Sequence, residues 1–382
     1  MQREPVATLW MCAYLFVLLS CTTISAFTFP FVAKHRGMSI AAGLFGQVAS
    51  TTNTAVAKAN PWGFSLQQTM LRIKDPEASL DFYVNKLGFR LVHKYEFPAW
   101  SFDLYFLAVP PPGSPEWPAP GTKESEALLW TMRYSCLELT YNYSPEELNN
   151  GNVEPHRGFG HIAVMTPDVY AACAELEEQG CAFQKKPDEG KMKGIAFVKD
   201  PSGYWVEVIP RSPSSVVDPN CKYTLAQTMM RVKDPQKSLH FYVDLLGMTL
   251  LRVSHHGDFS LYFLAHVPEG TVHPVPDTPE AAEFIKCMFP QVLELTHNHG
   301  TENDPDFSYH NGNDVDKGQL RGFGHCGLLC TDLAATCAYL QEEAVAFKKL
   351  PHEGSMRGLA FAKDPDGYFV ELIQSGGLSM IN

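Results

Sequence analysis

The sequence has no block of lysine and arginine to set against its formal net charge of −12. That excludes a general nucleic-acid binder, because neutralising phosphates takes clustered cations. None of its ten cysteines form a CxxC pair, and Cys326 with Cys330 is too sparse for a zinc knuckle. They read as small buried apolar residues rather than as disulfides or structural metal ligands. Between residues 27 and 63 there is no acidic residue at all, an absence that sets this stretch apart from the rest of the chain. What is present is ordinary for a folded globular protein: 382 residues, 45% hydrophobic and 19% charged, enough for two or more domains with substantial cores.

The first 63 residues carry targeting patterns. Arg3 precedes the apolar run LWMCAYLFVLL at residues 9–19, which is too short to span a bilayer comfortably, and Ala26 closes a candidate cleavage site. Residues 1–26 are therefore expected to be a signal peptide. Residues 27–60 keep Lys34, Arg36 and Lys58, are rich in Ala, Ser and Thr, and read as a transit-like presequence. The pairing, with Phe27 after Ala26, resembles bipartite presequences that address proteins to plastids bounded by extra membranes. Secretion or retention in the endoplasmic reticulum is the alternative.

The remainder is duplicated. QTMLRIKDP from Gln68 returns as QTMMRVKDP from Gln227, and RGFGH at residues 157–161 returns at residues 321–325. Two related halves, 64–212 and 223–375, flank the Pro/Ser-rich link PRSPSSVVDPNCKY. Each half divides again. Asp75 and Pro76 start a short amphipathic helix with Leu80, Tyr83, Val84 and Leu87 on one face, ended at Gly88. TPDVYAACAELEEQG repeats the device, and the second half has counterparts at Asp234 and Asp332. Four helices, each preceded by one strand-like run and followed by more, predict an α+β protein of four βαβββ modules, paired into two cupped sheets around ligands.

Strand periodicity locates polar groups on the inner walls. Gln68, Met70 and Arg72 share one face; so do Glu138, Thr140 and Asn142. The first strand of each module carries Gln68, His161, Gln227 or His325, and the last carries Glu138, Glu207, Glu294 or Glu371. Those carboxylates sit in apolar runs such as CLELT and WVEVI, where they need a cation or a proton. One such Glu could simply face outward on a half-exposed strand, but four in register are not required by packing. Two carboxylates, an imidazole and an amide oxygen suit Zn²⁺, Ni²⁺, Co²⁺ or Mn²⁺ alike.

QTMLRIKDP, LELTYN, RGFGHIAV, KKPDEGKMKGIAFVKDPSGYWVEV, LELTHNHGTE and SYHNGN closely resemble the glyoxalase I (lactoylglutathione lyase) family, across nearly all of residues 66–375 in two tandem copies. The resemblance implies the glyoxalase or vicinal-oxygen-chelate fold, with metal sites that cross between the halves. One site takes Gln68, Glu138, His325 and Glu371; the other takes Gln227, Glu294, His161 and Glu207. It implies isomerisation of the glutathione–methylglyoxal hemithioacetal to S-lactoylglutathione, with Glu207 and Glu371 as the bases. Gln at the first ligand position and long segments between modules are similar to the zinc-dependent branch, so two Zn²⁺ per chain are expected, with Ni²⁺ or another divalent metal open. Matched substrate-binding positions are Arg72, Asn142, Arg321 and Lys349 at one site, and Arg231, Asn298, Arg157 and Lys185 at the other. The expected partner is the hemithioacetal, with no nucleic acid, no stable membrane anchor after processing, and a monomeric state.

The copies differ. Lys186, Lys191 and Trp205 correspond to Leu350, Ser355 and Phe369; SHHGDFSL replaces EFPAWSFDL, which puts His255, His256 and Asp258 where part of an apolar wall is expected; and the first half keeps only NNGN of the SYHNGN loop. Two competent but unequal sites are expected. On the same fold, the alternatives are a ring-cleaving dioxygenase, which needs two His and one carboxylate around Fe(II), and a metal-free small-molecule binding protein.

Overall fold

Each of the two large sheets is built from both halves of the chain, as the computed structural model shows for residues 54–377 apart from Pro145, Val216, residues 218–220 and Ser355. The expected signal peptide and most of the transit-like segment lie outside the described residues. The first half runs β1 (Thr54–Val56), β2 (Ser65–Ile73), α1 (Pro76–Leu80), β3 (Arg90–Phe97), β4 (Phe102–Ala108), α2 (Lys123–Leu129), β5 (Cys136–Asn142), β6 (Phe159–Thr166), α3 (Val169–Glu178), β7 (Phe183–Lys185), β8 (Ala196–Lys199) and β9 (Trp205–Pro210). The second half runs β10 (Thr224–Val232), α4 (Pro235–Leu239), β11 (Thr249–His255), β12 (Phe259–Ala265), β13 (Val272–Pro274), α5 (Pro279–Cys287), β14 (Val292–Asn298), β15 (Phe323–Cys330), α6 (Leu333–Glu342), β16 (Phe347–Lys349), β17 (Leu359–Lys363) and β18 (Phe369–Gln374).

One eight-stranded sheet has the order β11-β12-β14-β10-β6-β9-β8-β7, and the other has β16-β17-β18-β15-β2-β5-β4-β3. The first module of one half and the second module of the other thus share a sheet, joined at the antiparallel pairs β6–β10 and β2–β15. Within a half, the modules are tied at the helices. The Tyr83 hydroxyl donates to buried Asp200 at 3.0 Å, and Tyr242 donates to Asp364 at 2.9 Å. Behind the sheets, Thr69 and Thr228 meet hydroxyl to hydroxyl at 2.5 Å, so the residues alternating with the wall face a shared interior.

The helix signals act as the sequence predicts. Asp75, Asp168, Asp234 and Asp332 are N-caps whose carboxylates accept from backbone N–H groups of the first turn, and Pro76 and Pro235 open their helices. After Pro76–Leu80 and Pro235–Leu239 the chain continues as π-helical turns at Asp81–Lys86 and His240–Leu245. Among the described residues there are two α-helices beyond the expected four, α2 and α5, inserted before the last strand of each first module. Thr122 and Ser125 form a reciprocal capping box that starts α2. That signal lies in a Pro-rich stretch with little apolar periodicity, which is why the helix count falls short.

Residues 54–60 belong to this body, contrary to their assignment to the presequence. β1 pairs with β13, Ala57 is buried and bonded to Thr271 and Gly270, and Asn60 exchanges two hydrogen bonds with Phe64. An alanine- and threonine-rich composition does not distinguish an edge strand from a transit segment. A chain starting at residue 54 is expected to match the longer form in thermal unfolding, while one starting at Pro61 loses the strand and melts a few degrees lower, roughly the effect of losing ~1–2 kcal/mol. Equal melting temperatures would show that β1 contributes nothing. Among the described residues, no helix is long and apolar enough to cross a membrane.

Two candidate metal centres between the halves

The sheet registers carry the ligand positions to common points. In one sheet Met70 pairs with Glu138 on one side and with His325 on the other, while Gln68 pairs with Gly327, whose other neighbour is Glu371. These are two rungs two residues apart, so all four polar side chains emerge on one face. The second sheet repeats the layout around Met229 with Glu294 and His161, and around Gln227 and Ala163 with Glu207.

Glu138, His325 and Glu371 present ligand atoms within 4.8 Å of one another, as do His161, Glu207 and Glu294, and all six residues are buried. His325 Nε2 lies 3.0 Å from Glu371 Oε2 and 3.3 Å from Glu138 Oε2. Gln68 Nε2 donates to both carboxylates, at 2.6 Å to Glu138 and 2.7 Å to Glu371. The second centre is looser, with His161 Nε2 at 3.4 Å from Glu207 and 3.8 Å from Glu294. Burial disfavours charge on both imidazoles, but the paired carboxylates outweigh it and hold His161 and His325 up at about 9. Burial likewise raises the Glu138 carboxyl above its ordinary value, opposed by His325.

The residues fit a divalent cation. Two buried carboxylates facing each other demand positive charge. Gln68 Oε1 and His161 Nε2 are buried with no hydrogen-bond partner, and both are metal-ligating atoms. The amide of Gln68 offers its oxygen to a cation by a simple flip. The dioxygenase requirement of two His is met at neither centre, each of which has one.

Each centre opens into a cavity, of about 600 Å³ beside Gln68 and about 520 Å³ beside Gln227. The first cavity is lined by the expected Arg72, Asn142, Arg321 and Lys349. The second is lined by Arg231, Asn298 and Arg157, but not by Lys185, whose ammonium donates to the Ile195 carbonyl at 2.6 Å. Arg72 and Arg231 do more than line a wall. Arg72 Nη1 donates to Gly322 O and Phe323 O, and Nη2 to Asn313 Oδ1 at 2.9 Å; Arg231 does the same with Gly158 O, Phe159 O and Asn152 Oδ1. Each guanidinium therefore clasps the opposite half and keeps only its remaining N–H groups for the cavity.

Asn152 and Asn313 are the residues that sequence reasoning missed here. Their signal is the NGN triplet at residues 150–152 and 311–313, which survives in both loops. Its central glycines have φ of +77° and +81°, and a Cβ on either would stand 2.2 Å from the Phe159 or Phe323 carbonyl. The shortened first loop thus retains the part that does the clasping.

A further expectation fails. His255, His256 and Asp258 do not line the second cavity; they are exposed, and His255 turns to Ser260. β11 ends at His255, so His256 and Asp258 lie in the exposed turn beyond it, and this strand's contribution to the wall is Arg252. Lys186 stays outside, paired with Glu177, and Trp205 and Phe369 line their cavities as corresponding residues; the Lys191 counterpart, Ser355, is outside the described residues.

Comparison with known proteins agrees with this architecture. The family model described as Glyoxalase/Bleomycin resistance protein/Dioxygenase superfamily matches twice, at residues 65–208 and 224–372. The chain is 39% identical over 323 residues to "Glyoxalase I" of Saccharomyces cerevisiae, covering 81% of this chain and 92% of that protein. It is 46% identical over 155 residues to "Lactoylglutathione lyase" of Pseudomonas putida, covering 39% of this chain and 87% of that one. The crystal structure of glyoxalase I from Zea mays shares the fold at 23% identity with a TM-score of 0.59, covering 82% of this chain and 92% of that chain.

Proposed function

The chain belongs to the glyoxalase I family, and on that premise we propose that both of its cavities isomerise the hemithioacetal of glutathione and methylglyoxal to S-lactoylglutathione. The observation that carries the two-site reading is that each half completes the other: both buried constellations contain residues of both halves. The protein is metal-dependent, and Gln68, Glu138, His325 and Glu371 would hold one ion while Gln227, Glu294, His161 and Glu207 would hold the other. When bound, the cation supplies charge that stabilises an enediolate. We take it to be Zn²⁺, which the mixed N/O set and the glutamine ligand support.

The side chains supply the rest. Glu371 in the first cavity, and Glu207 in the second, takes the proton from the carbon bearing sulfur and returns it to the neighbouring carbon, leaving the atom count unchanged. Burial beside an imidazole keeps these carboxylates dry and close, which a proton shuttle needs. The free N–H groups of Arg72 and Arg231, with Arg321 and Arg157 at the cavity mouths and Asn142 and Asn298 beside them, would bind the glutathione carboxylates. In the first cavity Asn142 and Arg321 both rest on Glu146, at 2.6 and 3.7 Å, which the substrate must displace. To reach substrate, Lys349 would have to leave the Leu359 carbonyl, to which it donates at 2.8 Å, as Lys185 would have to leave Ile195.

The test is thioester formation from glutathione and methylglyoxal by purified protein, with metal content measured. Chelation is expected to abolish turnover and Zn²⁺ to restore it, with two ions per chain at full activity. Undiminished activity in metal-free protein would overturn the reading, and a different native ion would overturn the choice of zinc.

We also propose a monomeric state, which is supported by both candidate sites being complete in one chain. The address is proposed to be the plastid, by way of residues 1–53 and the signal and transit-like patterns in them. A fluorescent protein fused behind residues 1–60 is expected in that organelle; release to the medium would favour secretion.

A further inference from the structure

Beyond the matching arginines, Arg72 and Arg321 in one and Arg231 and Arg157 in the other, the two cavities carry their further cations on opposite walls. In the first, Lys348 and Lys349 of β16 line one side, and the facing side is aromatic, with Tyr95, Phe97 and Trp130 among its residues. In the second, the β7 wall contributes no lining lysine, and the facing side holds Arg252 and Lys286. The correspondence is structural. Arg252 pairs with Phe263 as His93 pairs with Phe106, but His93 is turned away to the Ser125 hydroxyl at 2.6 Å. Lys286 and Trp130 each stand six residues before the strand that supplies a carboxylate ligand, and the carbonyl of each accepts from a serine hydroxyl of the segment that leaves the cavity floor.

Strand register tells which part of a substrate these groups would meet. Arg252, Phe263 and Glu294 lie on one rung, level with the metal centre. Asn298, beside the mouth residues proposed for glutathione, is four residues further along β14, ~13 Å away at strand rise. Lys286 precedes β14 altogether and lies beyond the centre on the other side. A hemithioacetal held by its glutathione end at the mouth, with its reacting carbons at the metal, points its remaining carbonyl substituent toward Arg252 and Lys286.

We propose that the second cavity is selective for 2-oxoaldehydes whose substituent ends in a carboxylate, bound by Arg252 and Lys286, whereas the first favours aromatic or apolar substituents against Trp130 and Tyr95. This rests on the hemithioacetal reading above. The Arg252 guanidinium sits 5.1 Å over the Phe263 ring, which fixes its plane, and it makes no hydrogen bond or ion pair among the described residues. A stacked guanidinium with free edges suits a bidentate carboxylate. Lys286 has one loose carboxylate neighbour, Glu283 at 3.8 Å. In the first cavity the indole N–H of Trp130 is taken up by the Tyr95 hydroxyl at 2.9 Å, and that hydroxyl in turn by Glu126 at 2.7 Å, so the wall shows ring surface rather than donors.

Single-site enzymes read each cavity separately. Glu371→Gln leaves the second cavity working and Glu207→Gln leaves the first, and each is assayed with hemithioacetals of methylglyoxal, phenylglyoxal and 4,5-dioxopentanoate. The ratio of kcat/KM for 4,5-dioxopentanoate over phenylglyoxal is expected to be about tenfold or more higher in Glu371→Gln, the discrimination that one charge-assisted contact provides. Adding Arg252→Gln should collapse that ratio, and Arg252→Lys should keep part of it. Equal ratios in the two enzymes would overturn the proposal, as would an Arg252→Gln loss shared equally by all three substrates, which would assign Arg252 to Glu294 instead. Failure of both enzymes on methylglyoxal would sink the parent reading, not this one. Inert thioethers then decide it by calorimetry. S-(3-carboxypropyl)glutathione should bind the intact protein's second cavity in preference to S-benzylglutathione, with the preference lost in Arg252→Gln; an unchanged preference in that variant would count against it.

Discussion

Replacing both Glu207 and Glu371 with Gln is expected to lower turnover by about 10²–10⁴-fold, the usual effect of removing a general base, while each single replacement removes only one cavity's share. Glutamine keeps the size and an oxygen that can face a cation but cannot take up a proton, so the metal should stay and the shuttle should go. The cavities are separate, and no base is common to both. The surviving fractions should differ, because the first centre is tighter and aromatic-walled and the second carries Arg252 and Lys286. Steady-state kinetics of both singles and the double, at matched metal content, check this. If either single is as inactive as the double, then one cavity does all the work or the two are coupled.

Cutting the chain between its halves is expected to abolish activity in the separated monomer. Residues 64–212 alone hold Gln68 and Glu138 on one sheet fragment and His161 and Glu207 on another, with no complete centre. The cut also bares β2 and β6, central strands of their sheets, along the edges that β15 and β10 cover in the intact protein. Bare central edges pair with whatever complements them. A second copy of the same half would do so, bringing its own His161 and Glu207 to Gln68 and Glu138. Activity per mole should therefore rise with concentration as dimer forms, and should vanish on dilution. Sedimentation combined with the thioester assay measures both, and activity that stays constant in a species of monomer mass would refute the crossed arrangement.

Much of the site was legible because strands and repeats are local codes. Gln68, Met70 and Arg72 alternate with Thr69 and Leu71, and that alone put the first three on one face. Fourfold recurrence of a Gln or His with a Glu marked eight positions, and the folded chain gathers them into two groups as the family resemblance implied. Asp and Pro at the helix starts were equally plain, since an N-cap needs only its own first turn. Less local signals were lost. Whether residues 54–60 are address or strand depends on β13, more than two hundred residues away, and composition does not show a partner.

What the sequence determined by itself is the plan of the protein, four modules and two sets of candidate metal-ligating residues, because side-chain type and period are written in every segment; the reaction class came with the family resemblance that those segments carry. What only the tertiary structure decided is how the groups are spent. Arg72 and Arg231 had to be seen closing on the NGN loops before their role as clasps between the halves could be told from substrate binding. The strand β11 had to be seen ending at His255, with His256 and Asp258 in the exposed turn beyond it, before Arg252 could be named as its contribution to the wall. The walls of the two cavities, and so any difference between their substrates, follow from which residues fill matching positions of the two sheets, Arg252 against His93 and Lys286 against Trp130.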